Sequence, residues 1–348
     1  MIVAGIVSEY NPFHNGHQFH IEQTRRITDC DGVIAVMSGN FVQRGEPAVF
    51  EKYTRAAAAV AGGADLVLEL PAMFAVQSAE FFAKYAVGML ASSGVVNYLS
   101  FGAEASDLSV LKQIASVCME EPREYKAVLR DALAEGNSFP RARGKALESI
   151  LDSEAAEIAA QPNNLLAIEY LKALEEYKEI VPVAVTRKKA AHDSTIANGS
   201  FASASLVRQL VCEKDIAAAK KFIPSCSFAK MQECKPKKTE DYTQAILTQL
   251  CKYSIEELRN LPDVSEGLEF RIYRAVRECG TLADLLEQIK SKRYPLSRLR
   301  RLLIYALLDM DKEDRQRKPL YLKILDFNET GQKILHEMKK KAVLPVVK

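Results

Sequence analysis

GIVSEYNPFHNGHQFH, residues 5 to 20, changes its periodicity across a single turn. The apolar run from Ile2 to Val7 has the length and β-branched content of a buried strand. Pro12 then fixes the backbone at the turn, Gly16 allows close approach of a ligand, and a helix is expected from about Gly16. His14, His17 and His20 follow at three-residue spacing, which aligns them on one face if the helix has begun, in a chain of 348 residues with only 5 histidines. At the carboxyl end of a parallel strand, such a helix start offers free N–H groups and the positive end of its dipole to a phosphate.

Outward from this stretch the alternation continues. Val33 to Met37, Leu66 to Leu70, Tyr98 to Phe101 and Ile180 to Val185 are expected strands, separated by helical spacing, as in an α/β fold with a parallel sheet. Ala105 to Leu174 is nearly all helical, so helices are inserted before the last of these strands. After Arg208 no strand is expected: residues 226–241 look like a linker, and helical spacing dominates from Tyr242 to Leu325. Charge changes near the same place. Residues 1–215 hold 20 Lys and Arg against 27 Asp and Glu, a balance of −7, whereas residues 216–348 hold 27 against 18, a balance of +9. Two units are therefore expected, an α/β unit over 1–215 and a basic, mostly helical region over 216–348 that suits a polyanion such as nucleic acid.

Composition narrows the classes. With 48% hydrophobic and 26% charged residues the chain is long enough for two cores, and no stretch reaches the roughly 18 apolar residues of a membrane helix. Its start lacks the basic flank of a secretory signal, so a cytoplasmic protein without membrane association is expected. The 7 cysteines contain no Cys-x-x-Cys pair, which argues against a disulfide framework or a zinc knuckle. No internal repeat was found.

The histidines admit three readings. They could pack and hydrogen-bond at a turn; they could chelate a metal, though no Cys or second acidic cluster completes a coordination sphere; or His14-Asn15-Gly16-His17 could be the His-x-Gly-His motif of adenylyl transfer, whose imidazoles donate to phosphates as charge builds on them. Ser203-Ala204-Ser205-Leu206-Val207-Arg208 favours the third, with hydroxyls at a helix start followed by an arginine that can grip phosphate, although a serine there also serves as a plain cap.

The stretch Gly5 to His17 resembles the opening of the bacterial tRNA(Met) cytidine acetate ligases. Further matches follow in the family's order: Met37 to Ala48, Ser100 to Glu104, Pro162 to Tyr170, and Arg187 with His192-Asp193. The second half matches mainly in its helical, basic character and in Lys292-Arg293-Tyr294. Ala103 stands where the pattern leads us to expect a small hydroxyl residue and Ala167 where it leads us to expect glycine, both small replacements.

The resemblance implies a Rossmann-like nucleotidyltransferase sheet and a two-step ligase. ATP and acetate would give acetyl-adenylate, and the acetyl group would pass to N4 of the wobble cytidine of elongator tRNA(Met). His14 and His17 would be the catalytic pair. ATP would be held by Val7, Ser8, Glu9, Tyr10, Asn11, Pro12, Phe13, His14, Asn15, Gly16, His17, Gln18, Phe19 and His20, with Gly102, one or both of Asn163 and Asn164, Arg187, Ser203 and Arg208. Mg2+ is expected to accompany pyrophosphate, with no protein metal ligands expected.

Two sets rest on the residues alone. The polar loop after the second strand makes Asn40, Gln43, Arg44 and Glu46 candidates for acetate or the cytosine edge, with Lys52 and Arg55 able to face the same crevice. Lys292, Arg293, Arg298, Arg300 and Arg301 are candidates for tRNA backbone contacts, and Tyr294 for stacking on a base. A small-molecule adenylyltransferase and a non-catalytic RNA-binding protein remain the rival functions.

Overall fold

Strand β1 (Val3–Ser8) pairs in parallel with β2 (Gly32–Ser38), Val3 opposite Gly32 and Ser8 opposite Met37, in our computed structural model. The structure describes residues 1–105, 107–187, 199–232, 234–291 and 294–348. The other strands are β3 (Phe41–Val42), β4 (Glu46–Pro47), β5 (Leu66–Leu70), β6 (Tyr98–Ala103), β7 (Val181–Thr186), β8 (Leu322–Phe327) and β9 (Val346–Val347). Seven of them form one sheet in the order β7-β6-β1-β2-β5-β8-β9, and β3 with β4 makes a short hairpin.

The run from β7 to β5 is parallel, as expected for apolar strands joined by helices. Every residue of β2 is buried because both faces of the sheet are covered. Val33, Ala35 and Met37 join Ile6 and Val67 on one side, while Ile34 and Val36 join Val3, Leu66 and Leu68 on the other. The expected helical insertion is present between β6 and β7, from Leu108–Glu120 through Pro162–Leu174, with Ala103 and Ala167 fully buried in its core.

The last thirty residues differ from the expectation. β8 lies antiparallel to β5, Leu66 opposite Phe327, and the following Glu329–Lys341 helix buries Ile334 and Met338 in the main core. Its leucines also fit helical spacing, and a short apolar run takes the form its partner offers; here that partner is the open edge of β5. Asp65 ties the return in place. It accepts from Val33 N at 2.7 Å and Asn328 Nδ2 at 3.0 Å, and pairs with Arg25. The expected linker also begins as a helix, Ser225–Met231, because Phe228 and Met231 at i and i+3 bury against the alanine face of the Lys52–Ala61 helix.

The second core is helical. Ile246, Leu250, Leu258, Ile272, Leu285, Ile289, Leu299 and Leu302 are all fully buried in it, and Phe41 and Val76 reach into it from the first half. Residues of 216–231, Phe222 among them, pack instead with Ile6 and Phe13, so charge changes earlier in the chain than packing does. Among the described residues no helix is long and apolar enough to cross a membrane.

Candidate active site

A cleft of about 640 Å³ opens at the carboxyl ends of β1, β6 and β7. From β1 the sheet runs one way to β2 and the other way to β6, so the cleft sits where a doubly wound sheet reverses direction. Its walls are the starts of the Asn15–Thr28, Pro162–Leu174, Ala204–Cys212 and Leu296–Leu307 helices and the β3–β4 hairpin.

His14 caps the first helix. Its Nδ1 accepts from Gly16 N at 3.0 Å, and in return His17 Nδ1 accepts from His14 N at 3.2 Å. The rings stack at 3.7 Å with an interplanar angle of 21°, and Tyr10 and Phe13 press on His17 with centroids at 4.9 and 5.6 Å. An imidazole whose Nδ1 accepts carries its proton on Nε2. Both histidines therefore keep an Nε2–H donor on the side of the ring away from the helix backbone; the first-turn N–H groups expected to be free are instead taken, Asn15 N by Phe222 O, Gly16 N by His14 Nδ1 and His17 N by His14 O. Burial holds both neutral: His14 is pushed down to about 3, with Arg187 and Arg208 adding to the effect, and His17 well below its usual value, with His14, Arg187 and His20 contributing.

His20 differs. Thr24 Oγ1 donates to the carbonyl of His20 at 2.8 Å, so the Ser100 hydroxyl donates to Thr24 at 2.7 Å and His20 Nε2 donates to Ser100 at 3.0 Å. Its Nδ1 is left as an acceptor in the cleft, and burial, then Arg187, pushes its pKa down to about 4.

The two asparagines separate. Asn164 is fully buried, its Oδ1 accepting from Glu104 N at 2.9 Å and Ala105 N at 3.0 Å and its amide donating to Ile158 O and Gln161 Oε1. It pins the end of β6 to the insertion. Asn163 lines the cleft; its amide donates to Glu104 and its Oδ1 accepts from Arg187 Nη1 at 2.8 Å. On the opposite wall Arg208 Nη1 donates to Asn11 O at 2.9 Å and Nη2 to Ser205 Oγ at 3.1 Å.

Of the other expected site residues, Val7, Ser8, Glu9, Tyr10, Asn11, Gly16, Phe19, Gly102, Gln43 and Arg44 line the cleft. Six do not. Phe13 is core, and Pro12 is buried beside it. Asn15 donates to Ser200 O and Lys221 O, Gln18 stands outside the lining, Ser203 caps the Ala204–Cys212 helix through Leu206 N, and Asn40 accepts from Lys52 N. A small polar residue at a helix start is used as a cap first, which is why Ser203 turns away, and Asn40, from the loop after β2, reaches across to satisfy the first N–H of the Lys52–Ala61 helix. Thr186, Tyr170 and Phe201 line the cleft without having been expected, and of the two hydroxyls at the Ala204–Cys212 helix start it is Ser205 that lines it. Ser205 had a signal, since it stands three residues before Arg208 on the same helix face.

Lys52 and Arg55 also serve structure. Lys52 pairs with Glu69 at 2.7 Å. Arg55 is fully buried and donates to the carbonyls of Phe50, Ser38, Gly39 and Glu9, joining the loops that follow β1 and β2.

The basic helix is turned inward rather than laid open. Arg298 Nη2 donates to Asp263 O at 2.7 Å and stacks 4.7 Å from the Tyr294 ring, while Tyr294 is buried with its hydroxyl on Ser265 O, so it presents no face to a base. Arg301 pairs with Asp263 at 3.3 Å and Arg300 with Glu46 on the hairpin, and both line the cleft. Gly45, with φ of 76°, lies against the Arg300 and Arg301 backbone where a Cβ would collide. Lys292, Arg293, His192 and Asp193 lie outside the described residues. No three His, Cys, Asp or Glu side chains gather as a metal site among the described residues.

The family profile described as HIGH Nucleotidyl Transferase matches residues 1–348. A tRNA(Met) cytidine acetate ligase of Thermoanaerobacter sp. (strain X514) is 42% identical, the match covering 100% of this chain and 88% of that one. One of Syntrophomonas wolfei subsp. wolfei is also 42% identical, covering 99% and 86%. The crystal structure of Thermotoga maritima TmcAL bound with alpha-thio ATP superposes with a TM-score of 0.93 at 36% identity, over 100% of this chain and 85% of that one. On profile, sequence and fold together, the chain belongs to the tRNA(Met) cytidine acetate ligases of the HIGH nucleotidyl transferase family.

Proposed function

We propose that the protein activates acetate with ATP and acetylates N4 of the wobble cytidine in elongator tRNA(Met). The observation that carries this reading is the reciprocal histidine cap, which sets two neutral Nε2–H donors beside a helix N-terminus in a cleft that Arg187 and Arg208 also line. Such donors are neutral, oriented and partly desolvated, the conditions under which they stabilise charge building on a phosphoryl group.

In the first step an acetate oxygen attacks the α-phosphorus, and pyrophosphate leaves with the bonding electrons. His14 and His17 donate to the phosphate oxygens, Arg208 and the Ala204–Cys212 helix start hold the other side, and Arg187, oriented by Asn163, sets the nucleotide's position. Leu165, Leu166 and Tyr170 offer the apolar wall a base needs. Mg2+ enters with ATP, since the described residues offer it no cage. In the second step the amine takes the acetyl group from the mixed anhydride and AMP leaves. The basic region 216–348 holds the tRNA, with Arg44 and Arg300 at the mouth of the cleft, and the reaction takes place in the cytoplasm.

The test is to incubate the purified protein with ATP, magnesium, labelled acetate and unmodified elongator tRNA(Met), then digest the RNA and examine its nucleosides by mass spectrometry. Labelled N4-acetylcytidine is the expected result. Acetyl-adenylate without labelled RNA would keep the first step and discard the acceptor, and neither product would overturn the reading.

A further inference from the structure

Acetylation of a cytosine amine leaves a proton to be placed. The N4 lone pair is delocalised into the ring, so the nitrogen attacks as a neutral amine and becomes acidic only as its bond to the acyl carbon forms. The leaving AMP carries away the electron pair of the broken C–O bond and does not need that proton. A group at the junction of the acyl site and the RNA side of the cleft must take it.

The titratable side chains lining the cleft among the described residues narrow the choice. His14 and His17 use Nδ1 as the acceptor that holds the helix cap and keep Nε2 protonated, so neither has a lone pair to offer without breaking the cap. His20 does have one, but it sits among Ser100, Thr24 and Arg187 on the β6 side. Glu46 is engaged by Arg300. Tyr10 and Tyr170 are phenols that burial drives further from ionisation.

Glu9 remains, and its surroundings suit the task. It follows β1 directly, and its Oε1 accepts from Gln43 N at 2.9 Å, which couples it to the hairpin that Arg300 grips. It thus lies between the phosphate side, where Arg208 acts on it, and the side from which the helical region presents its arginines. Resting on the ligase reading above, we infer that the Glu9 carboxylate accepts the N4 proton of the cytidine as the acetyl group is transferred. The N4–C bond forms, the C–O bond of the mixed anhydride breaks with its electrons leaving on AMP, and the proton passes to the carboxylate and then to water.

Electrostatics supports this placement. Burial raises the carboxyl above its ordinary range, opposed by the Gln43 N–H and the charges of Arg208 on its helix, Arg44 on the hairpin and Arg55 beneath the loop, with the Tyr170 hydroxyl facing it from the Pro162–Leu174 helix. A carboxylate so raised is a stronger base than one in water, and the arginines around it favour its charged form.

The experiment supplies chemically prepared acetyl-adenylate with unmodified elongator tRNA(Met), bypassing the first step, and follows N4-acetylcytidine against pH. The wild-type rate is expected to fall on an acid limb. Glu9→Gln should lose about 100-fold or more and lack that limb, while Glu9→Asp keeps it at a reduced rate. A glutamine variant within about threefold of wild type, or a wild-type profile with no acid limb, would overturn the assignment. If Glu9→Gln does not fold, the wild-type profile and Glu9→Asp still decide. No product from the wild-type protein would overturn the ligase reading and this assignment with it, whereas product at equal rates in both proteins overturns the assignment alone.

Discussion

The histidines of the opening stretch are chemically unequal although they are evenly spaced. His14 and His17 are donors because each lends its other nitrogen to the helix cap, and His20 offers an acceptor because a hydroxyl relay consumes its proton. Replacing His17 by alanine is expected to lower acetyl-adenylate formation by about 100-fold, measured as acetate-dependent pyrophosphate release, because a donor aimed at developing charge is lost. Their neutrality also links to stability. His14 at about 3 and His20 at about 4 bind fewer protons in the folded protein than in the unfolded chain below about pH 6.5, so stability falls as pH falls through that window. Each contributes a slope approaching about 1.4 kcal/mol per pH unit near pH 5, which fades for His20 as the pH nears its folded value of about 4, and His20→Gln should remove one such slope in denaturant titrations. The spacing of these residues was plain from the chain; their tautomers were not, since Ser100 lies eighty residues away from His20 and only the fold brings it close.

Among the elements, the start of the Pro162–Leu174 helix shows adjacent residues doing different work. Asn164→Ala takes the acceptor from the part-buried N–H groups of Glu104 and Ala105, and is expected to cost about 1–3 kcal/mol in unfolding free energy. Asn163→Ala should leave the melting temperature nearly unchanged and instead raise the KM for ATP, because it frees Arg187 from its orienting contact. Local sequence could not separate the pair, since asparagine suits both a helix start and a ligand. The β3–β4 hairpin gives a sharper case. Gly45→Ala forces a methyl group into the Arg300 and Arg301 backbone at a left-handed residue, so the hairpin must move, taking Gln43 and Arg44 with it. RNA acetylation from acetyl-adenylate is expected to fall more than pyrophosphate release, since the arginines concerned face the helical region. The sequence marked this loop as polar and functional but assigned Asn40 to the ligand; a capping bond to Lys52 N had the prior claim.

For the whole molecule, the return of the chain to the sheet matters most. β8 covers the edge of β5, and Leu322, Ile334 and Met338 fill the main core, so removing residues 321–348 should leave an aggregating protein whose cooperative melting transition is lost in calorimetry. The parallel strands β1, β2, β5, β6 and β7, the helices inserted before β7 and the helix start that carries the histidines follow from features carried within some ten to twenty consecutive residues: periodicity, turn chemistry and helix-start residues, whose preferences act locally. The placement of β8, the inward turn of Arg298 and Arg301, the parting of Asn163 from Asn164 and the contact of Glu9 with Gln43 do not. Each depends on which surface is left unpaired once the local elements have packed, and that is settled by burial and hydrogen-bond satisfaction across distant parts of the chain.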